Sequence, residues 1–379
     1  MSAQHLPRQR PDPPRRARLA PDAVTTGARA PFGVYVHVPF CLHRCDYCAF
    51  ATWDDRSHLI DNYVEGLVQE VRAALGQLPA VTSVFFGGGT PSLLTPDQLR
   101  SIVELVPLAP GAEVSVECNP DAVDAERLAG YHAAGVTRVS LGAQSLCTHV
   151  LAALGRTHTV ESVVRAASAV RAEGFDSWNL DLIYGVVGET LDDWRSTVER
   201  ALDLEPPHLS AYGLTVEPGT PLAEDPARSP DDDDQADKYV LADSLLGAAG
   251  LVSYEISNWS RPGHRCRHNQ CYWSQGDYRG FGCAAHSHLD GRRWWNVRTP
   301  ERYLALLDAG QPVVAAGEHL DAAQRRTERL QLALRTSQGV PSETLDTTGL
   351  DDLVERRHER VVLTLAGRLL ANEVATRLR

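Results

Sequence analysis

Six short runs rich in Val, Leu, Ile and aromatic residues, alternating with stretches of helical periodicity, constrain this chain more than any other feature. The runs cover residues 33–38, 83–86, 113–117, 138–142, 179–183 and 209–214. Each is closed by Gly, Pro or a polar residue, as strands are. Between them, Leu59, Tyr63, Leu67 and Val71, or Val163, Val164, Ala167 and Val170, recur at the spacing of a helix that buries one side. Thr95 before Pro96, and Asp121 before Val123, are residue types that start helices. Strands alternating with helices imply a parallel sheet with right-handed crossovers. The expected fold is therefore α/β, a partial (β/α)6 barrel of TIM type, with function at the C-terminal ends of the strands.

The chain, at 379 residues, is too long for one small core. Residues 1–30 are rich in Pro and Arg, lack an apolar stretch, and read as a disordered tail. Residues 31–225 hold the barrel and 226–300 an extension of it. The polar segment over 224–235, including the acidic run 231–234, reads as a solvated loop followed by a helix. Helical, charged patterns over 302–307, 322–335 and 350–370, with Gly339 and Pro341 marking a turn between helices, predict a mostly α-helical C-terminal domain over 301–379.

A net charge of −12 argues against general nucleic-acid binding, which needs a basic surface. No run approaches the roughly 18 consecutive apolar residues of a membrane span. Eight cysteines are too sparse for a secreted disulfide scaffold. A soluble, cytoplasmic protein is expected.

Three of those cysteines, Cys41, Cys45 and Cys48, crowd into eight positions as the first strand gives way to a loop. The spacing C-x3-C-x2-C places three thiolates on one face of a small loop, suited to three irons of a cubane. No fourth cysteine is near, since position 50 is Phe50, and an open metal position is where chemistry can occur. A zinc knuckle closed by His43, or three unrelated buried cysteines, are the alternatives. Gly87-Gly88-Gly89-Thr90-Pro91 follows the second run, where glycines let backbone amides approach a ligand or simply make a tight turn. Glu117 ends the third run and can accept two hydrogen bonds from paired hydroxyls. Gln144 follows the fourth run, Asp181 lies in the fifth, and Arg156 carries the fork that suits a carboxylate. Any one of these could be a structural polar residue. Together they converge on the expected functional face.

The cysteine triad and its flanks resemble the radical S-adenosylmethionine superfamily. Within it they resemble the branch of the oxygen-independent coproporphyrinogen III oxidases and the HemW heme chaperones, the latter most closely. The resemblance runs from Gly33 to the C-terminus through Gly87–Pro91 and the stretches at 115–120 (SVECNP), 142–145 (GAQS), 155–158 (GRTH) and 179–185 (NLDLIYG). It implies a [4Fe-4S] cluster on Cys41, Cys45 and Cys48. It also implies S-adenosyl-L-methionine held by Tyr35, Tyr47, Gly88, Gly89, Thr90, Glu117, Gln144, Arg156 and Asp181. The chemistry implied is reductive cleavage to methionine and a 5′-deoxyadenosyl radical, which requires an electron donor for the cluster.

Two features separate the members of the branch. The oxidases carry a further cysteine two positions after the third ligand, where this chain has Phe50. His268-Asn269-Gln270-Cys271-Tyr272-Trp273 matches the HNxxYW motif of the chaperones. The resemblance thus implies heme, with His268 as its candidate contact, Cys266 and Cys271 as rival ligands, and a histidine that merely supports its neighbours as the alternative. The stretch 280–287 (GFGCAAHS) also resembles a family motif, which usually has another residue at Cys283. The expected function is a heme chaperone that delivers heme to an acceptor hemoprotein, which could be membrane-bound. The alternatives are oxidative decarboxylation of coproporphyrinogen III to protoporphyrinogen IX, or another radical reaction such as methyl transfer. No catalytic residue is assigned.

Overall fold

A computed structural model describes residues 31–379; the tail expected over residues 1–30 lies outside the described residues. The strands of the main sheet are β1 (Phe32–Val38), β2 (Val81–Gly88), β3 (Leu108–Cys118), β4 (Arg138–Gln144), β5 (Ser177–Tyr184), β6 (His208–Gly213), β7 (Val252–Glu255), β8 (Asn258–Ser260), β9 (Asp277–Phe281), β10 (His286–Leu289), β11 (Arg292–Asn296) and β12 (Val314–His319). The helices are α1 (Ile60–Ala74), α2 (Pro96–Val103), α3 (Ala125–Ala133), α4 (Thr148–Ala153), α5 (Val160–Glu173), α6 (Leu191–Asp203), α7 (Asp232–Ala248), α8 (Arg267–Trp273), α9 (Pro300–Asp308), α10 (Ala322–Leu334), α11 (Leu365–Leu369) and α12 (Ala371–Ala375).

All six expected strands form, and β1 to β6 pair in parallel in chain order, the partial (β/α)6 barrel. The sheet then extends at both edges. Strand β9 joins β1 in parallel and leads into antiparallel β10, β11 and β12, while β8 and β7 continue antiparallel from β6.

Alternation along the strands decides what each side of the sheet does. Val34, Val36, Val38, Val84, Phe86, Val114, Val116, Val139, Leu141, Leu180 and Leu182 are buried in the main core, each worth roughly 1.5–3 kcal/mol. Tyr63, Leu67 and Val71 of α1, and Val163, Ala167 and Val170 of α5, complete it, whereas Val164 is exposed. The opposite face is polar. Ser140 Oγ donates to Asp181 Oδ2 (2.6 Å), Asn179 Nδ2 donates to Ser140 Oγ (2.7 Å) and Ser210 Oγ (3.0 Å), and His208 Nδ1 lies 2.6 Å from Asn179 Oδ1. These strands hold an apolar layer outside and a hydrogen-bonded lumen inside.

The short helix α8 closes the N-terminal end of that lumen. The Glu113 carboxylate accepts from the amides of Arg267 (3.0 Å) and His268 (3.3 Å), satisfying donors at the helix start where negative charge is favoured. Gly33 and Ser83 lie near the beginnings of their strands and Glu113 is their partner in register, so α8 sits at the end opposite the cysteine loop.

Several local expectations need correction. Thr95 does cap α2, through a reciprocal bond pair with Gln98. Asp121 caps nothing: it lies in a short 3-10 turn, and α3 starts later on Asp124, whose side chain accepts from Arg127 N. The loop followed by a helix over 224–235 forms, but the helix starts inside the acidic run: Asp231 caps α7 and Asp232, Asp233 and Asp234 form its first turn, where aligned peptide dipoles favour anions. The helix expected over 350–370 is instead a hairpin, β14 (Val354–Arg357) and β15 (Arg360–Leu363), followed by α11. Gly339 precedes β13 (Val340–Pro341), which pairs with β15, so the turn there joins a helix to a strand. Helical residues still outnumber strand residues beyond 301, but around a small sheet with its own apolar cluster of Leu330, Leu334, Val340, Val361 and Val374.

Candidate functional site

The loop after β1 is pinned before its cysteines are considered. Cys41 N donates to Trp53 O (3.0 Å), Trp53 N to Pro39 O (2.8 Å), and Cys48 N to Cys45 O (3.1 Å). Arg44 donates from its guanidinium to Cys48 O (3.1 Å). The glycine turn after β2 is clasped against the same segment, with Gly89 N on Val38 O (2.8 Å) and Thr90 N on Phe40 O (2.7 Å). This explains Gly89: a Cβ there would lie 2.6 Å from Phe40 O and 2.9 Å from Val38 O. Gly88 has φ of +112°, and a Cβ would strike the His37 ring at 2.5 Å, so it too must be glycine.

Cys41, Cys45 and Cys48 face a cavity of about 470 Å³ at the C-terminal strand ends, shared with Tyr47, Gly88, Gly89, Thr90, Glu117, Gln144, Arg156 and Asp181. Eleven of the thirteen residues singled out from the sequence, all but Tyr35 and His268, line this one space, and they come from five successive strands and their loops. Gln144 reaches it through a bulge in the β4–β5 pairing and a left-handed backbone, φ +62°, a conformation costly for a side chain unless the surroundings impose it. Arg156 Nη1 donates to Cys45 Sγ (3.1 Å) and Nη2 to Gly142 O (3.3 Å), which sets a cation beside that sulfur.

The acids share an enclosed space. Burial and the neighbouring Asp181 push Glu117 up to about 8, although its carboxylate accepts from Gly88 N (3.2 Å). Burial also raises Asp181, against hydrogen bonds from Ser140, Ser210 and Asn179. One carboxyl of this pair is therefore protonated near neutral pH. Burial raises the Cys41 thiol, and the other two sulfurs add to this.

The donor set fits an iron–sulfur cluster. Among the described residues no group of three or more His, Cys, Asp or Glu is arranged to hold a single metal ion. A cubane instead needs each thiolate on a different iron, which three thiols spread along one cavity wall provide.

Two expected contacts lie elsewhere. Tyr35 faces a second cavity of about 550 Å³, lined also by His37, Phe50, Tyr272, Tyr278, His286, Trp295 and Arg298; its hydroxyl bonds His37 Nδ1 (3.0 Å). His268 is fully buried in the plug helix. Its Nδ1 lies 3.1 Å from Ser83 Oγ and its Nε2 2.8 Å from Tyr272 Oη, so both nitrogens are engaged. Burial depresses it to about 3. Both ring nitrogens of His268 are thus taken up by hydroxyl neighbours, Ser83 and Tyr272. Cys266, Cys271 and Cys283 are equally inaccessible, at 3%, 2% and 0% exposure.

Ser140, Asn179 and Ser210, which brace Asp181, were not singled out in the sequence, nor was Tyr212, which lines the first cavity. Their signal was the polar parity of the parallel strands, unusual for a barrel interior packed with branched residues.

Comparison with known proteins agrees with this geometry. Residues 35–201 match the radical SAM superfamily. The chain is 43% identical over 369 residues to the heme chaperone HemW of Mycobacterium tuberculosis, covering 92% of this chain and 95% of that one. It is 34% identical to the heme chaperone HemW of Bacillus subtilis, covering 90% and 97%, and 37% identical to that of Escherichia coli, covering 80% and 84%. In structure it is similar to coproporphyrinogen III oxidase (HemN) from Escherichia coli, a radical SAM enzyme, with a TM-score of 0.80 at 22% identity over 92% and 89% of the two chains. That likeness speaks for the fold.

Proposed function

The chain belongs to the HemW heme-chaperone family of the radical SAM superfamily, and from that premise we propose that it binds heme and transfers it to an acceptor hemoprotein. The observation that carries this reading is identity to heme chaperones extending over nearly the whole of both chains, beyond the barrel into the strand extension and C-terminal segment. Phe50, 67% exposed on the cysteine loop, stands where the oxidases would carry another cysteine, which weighs against porphyrinogen oxidation.

Cys41, Cys45 and Cys48 would hold a [4Fe-4S] cluster, leaving one iron for the amine and carboxylate of S-adenosyl-L-methionine. When reduced, such a cluster supplies the electron that breaks a carbon–sulfur bond of that sulfonium. The protein's own part is positioning. Gly88 and Gly89 bring backbone close to the ligand without side-chain obstruction. Burial and Asp181 raise Glu117 to about 8, so the pair can both donate to and accept from ribose hydroxyls. Arg156, held by His158 and Gly142 O, places its cation beside Cys45 Sγ and on the cavity lining, where it suits a carboxylate. Tyr47 and Gln144 close the remaining walls.

Among the described residues no helix is long and apolar enough to cross a membrane, and all eight cysteines are free thiols. Both support a place in the cytoplasm, with an electron donor for the cluster and an acceptor reached at its surface, soluble or membrane-bound. The test is an anaerobic comparison on one cluster-replete preparation of the full chain: heme titration against coproporphyrinogen III turnover. A stoichiometric Soret band without protoporphyrinogen is expected. Protoporphyrinogen formation would establish the oxidase instead.

A further inference from the structure

We propose that heme binds in the second cavity, with His286 of β10 as the axial ligand of its iron and Arg298 as partner of a propionate. This rests on the heme-binding reading above and names its site. The two cavities lie on one continuous face of the sheet. Register pairs Tyr35 of β1 with Phe85 on one side and Gly280 on the other, His288 with Tyr278, and His286 with Trp295. Phe50 of the cysteine loop borders both cavities.

Four histidines stand in or beside this region, and three are committed. His37 bonds Tyr35 Oη and Ala51 O; His268 bonds Ser83 and Tyr272; His288 bonds Gly276 O and Gly291 N. His286 alone is exposed, and its ring nitrogens have no hydrogen-bond partner among the described residues. A neutral imidazole with a free lone pair is a ready ligand for heme iron. Binding forms one coordinate bond from that lone pair, while the proton stays on the other ring nitrogen and no oxidant is needed.

The surroundings suit a planar, apolar macrocycle with an acidic edge. Trp295 lies nearly parallel to the His286 ring at 5.6 Å and 25°. Tyr272 projects into the cavity from the plug helix, held by His268 and edge-on to Tyr278 at 4.6 Å. The volume of about 550 Å³ is within the range of sites for large organic ligands. Arg298 is exposed on the lining and makes no ion pair among the described residues, a free cation on an acidic protein. A carboxylate is its natural partner. The HNxxYW motif then acts through Tyr272, with His268 as a positioning residue.

The experiment is anaerobic titration of full-length, cluster-replete protein with hemin, read by the Soret band. H286A should weaken binding at least about tenfold and move the band, and H286G should regain both when imidazole is added. R298A should weaken binding several-fold without moving the band, because it touches a propionate and not the iron. H268F should lower affinity with the band unmoved. Wild-type binding with H286A indistinguishable from it, in affinity and in band position, would refute this site while leaving heme binding intact. A wild-type protein without a Soret band would overturn the heme-binding reading and the site with it.

Discussion

The two cavities border the same loop and share one face of the sheet, yet they are made differently. The first is built from strand ends and backbone: a glycine turn clasped to β1, two carboxyls, a guanidinium and three thiols. Each component sits inside a contiguous motif. The second is built from rings on β1, α8, β9, β10 and β11, brought side by side only by strand register. Chemistry that needs charges and close backbone approach leaves compact local signatures. A surface that accepts a flat apolar ligand can be assembled from distant single residues, and leaves almost none.

The strongest way to separate the two regions is to remove one thiolate. C45A should reduce iron and sulfide content to near zero and abolish S-adenosylmethionine binding, since the cluster has no spare cysteine at position 50. Hemin should still produce a Soret band with this variant. Its loss alongside the iron would show that the cavities form one cooperative site. G89A comes next. Its new Cβ would meet backbone oxygens of Phe40 and Val38 rather than a yielding side chain, and should cost about 1–3 kcal/mol in urea unfolding while weakening S-adenosylmethionine binding. Unchanged stability would mean that the clasp between loop and turn is looser than its 2.7–2.8 Å bonds indicate.

The same contrast explains what could be read from the sequence. Six strands in their order, and eleven residues of the first cavity, were legible because βα alternation and contiguous motifs are local properties. His268 and Tyr35 were recognisable as residues, but their surroundings in space were not. Whether an imidazole faces a ligand or a neighbour's hydroxyl depends on where α8 lands, and Glu113 and Ser83 decide that from other strands. The 350–370 segment has helical spacing, but Val361 and Val362 bury on one hairpin strand against β13 and β14, a tertiary demand that overrides propensity. The polar parity of β3 to β6 is a sequence signal of the lumen, carried by single residues such as Ser140, Asn179 and Ser210.

Charge gives the next distinction, since the first cavity carries buried carboxyls and the lining of the second has none. Glu117 moves from an ordinary 4.5 to about 8 in the fold, because burial and Asp181 disfavour its anion. Between those values the native chain binds more protons than the unfolded chain, so stability falls as pH rises through this window. The slope due to this one group is at most about 1.4 kcal/mol per pH unit. E117Q should flatten that part of the profile in cluster-free protein, measured by urea unfolding from pH 5 to about 8. A slope identical in wild type and E117Q would show that Glu117 is not the group that senses the enclosure.

The smallest expected effect is at Phe50, and it tests the partition itself. An aromatic ring 67% exposed contributes little to folding, so F50S should change stability by no more than about 0.5 kcal/mol and leave iron content intact. Its position on both linings gives it a reason to be aromatic that stability does not supply. A ring packing against a porphyrin edge is worth about 0.5–1.5 kcal/mol beyond buried area, so F50S should weaken hemin binding by roughly two- to tenfold. F50W should hold or improve it. Equal hemin affinity in wild type, F50S and F50W would remove Phe50 from the second cavity's function. The wall between the two sites would then be set by backbone alone, with the Cys41–Trp53 and Trp53–Pro39 hydrogen bonds doing the separating.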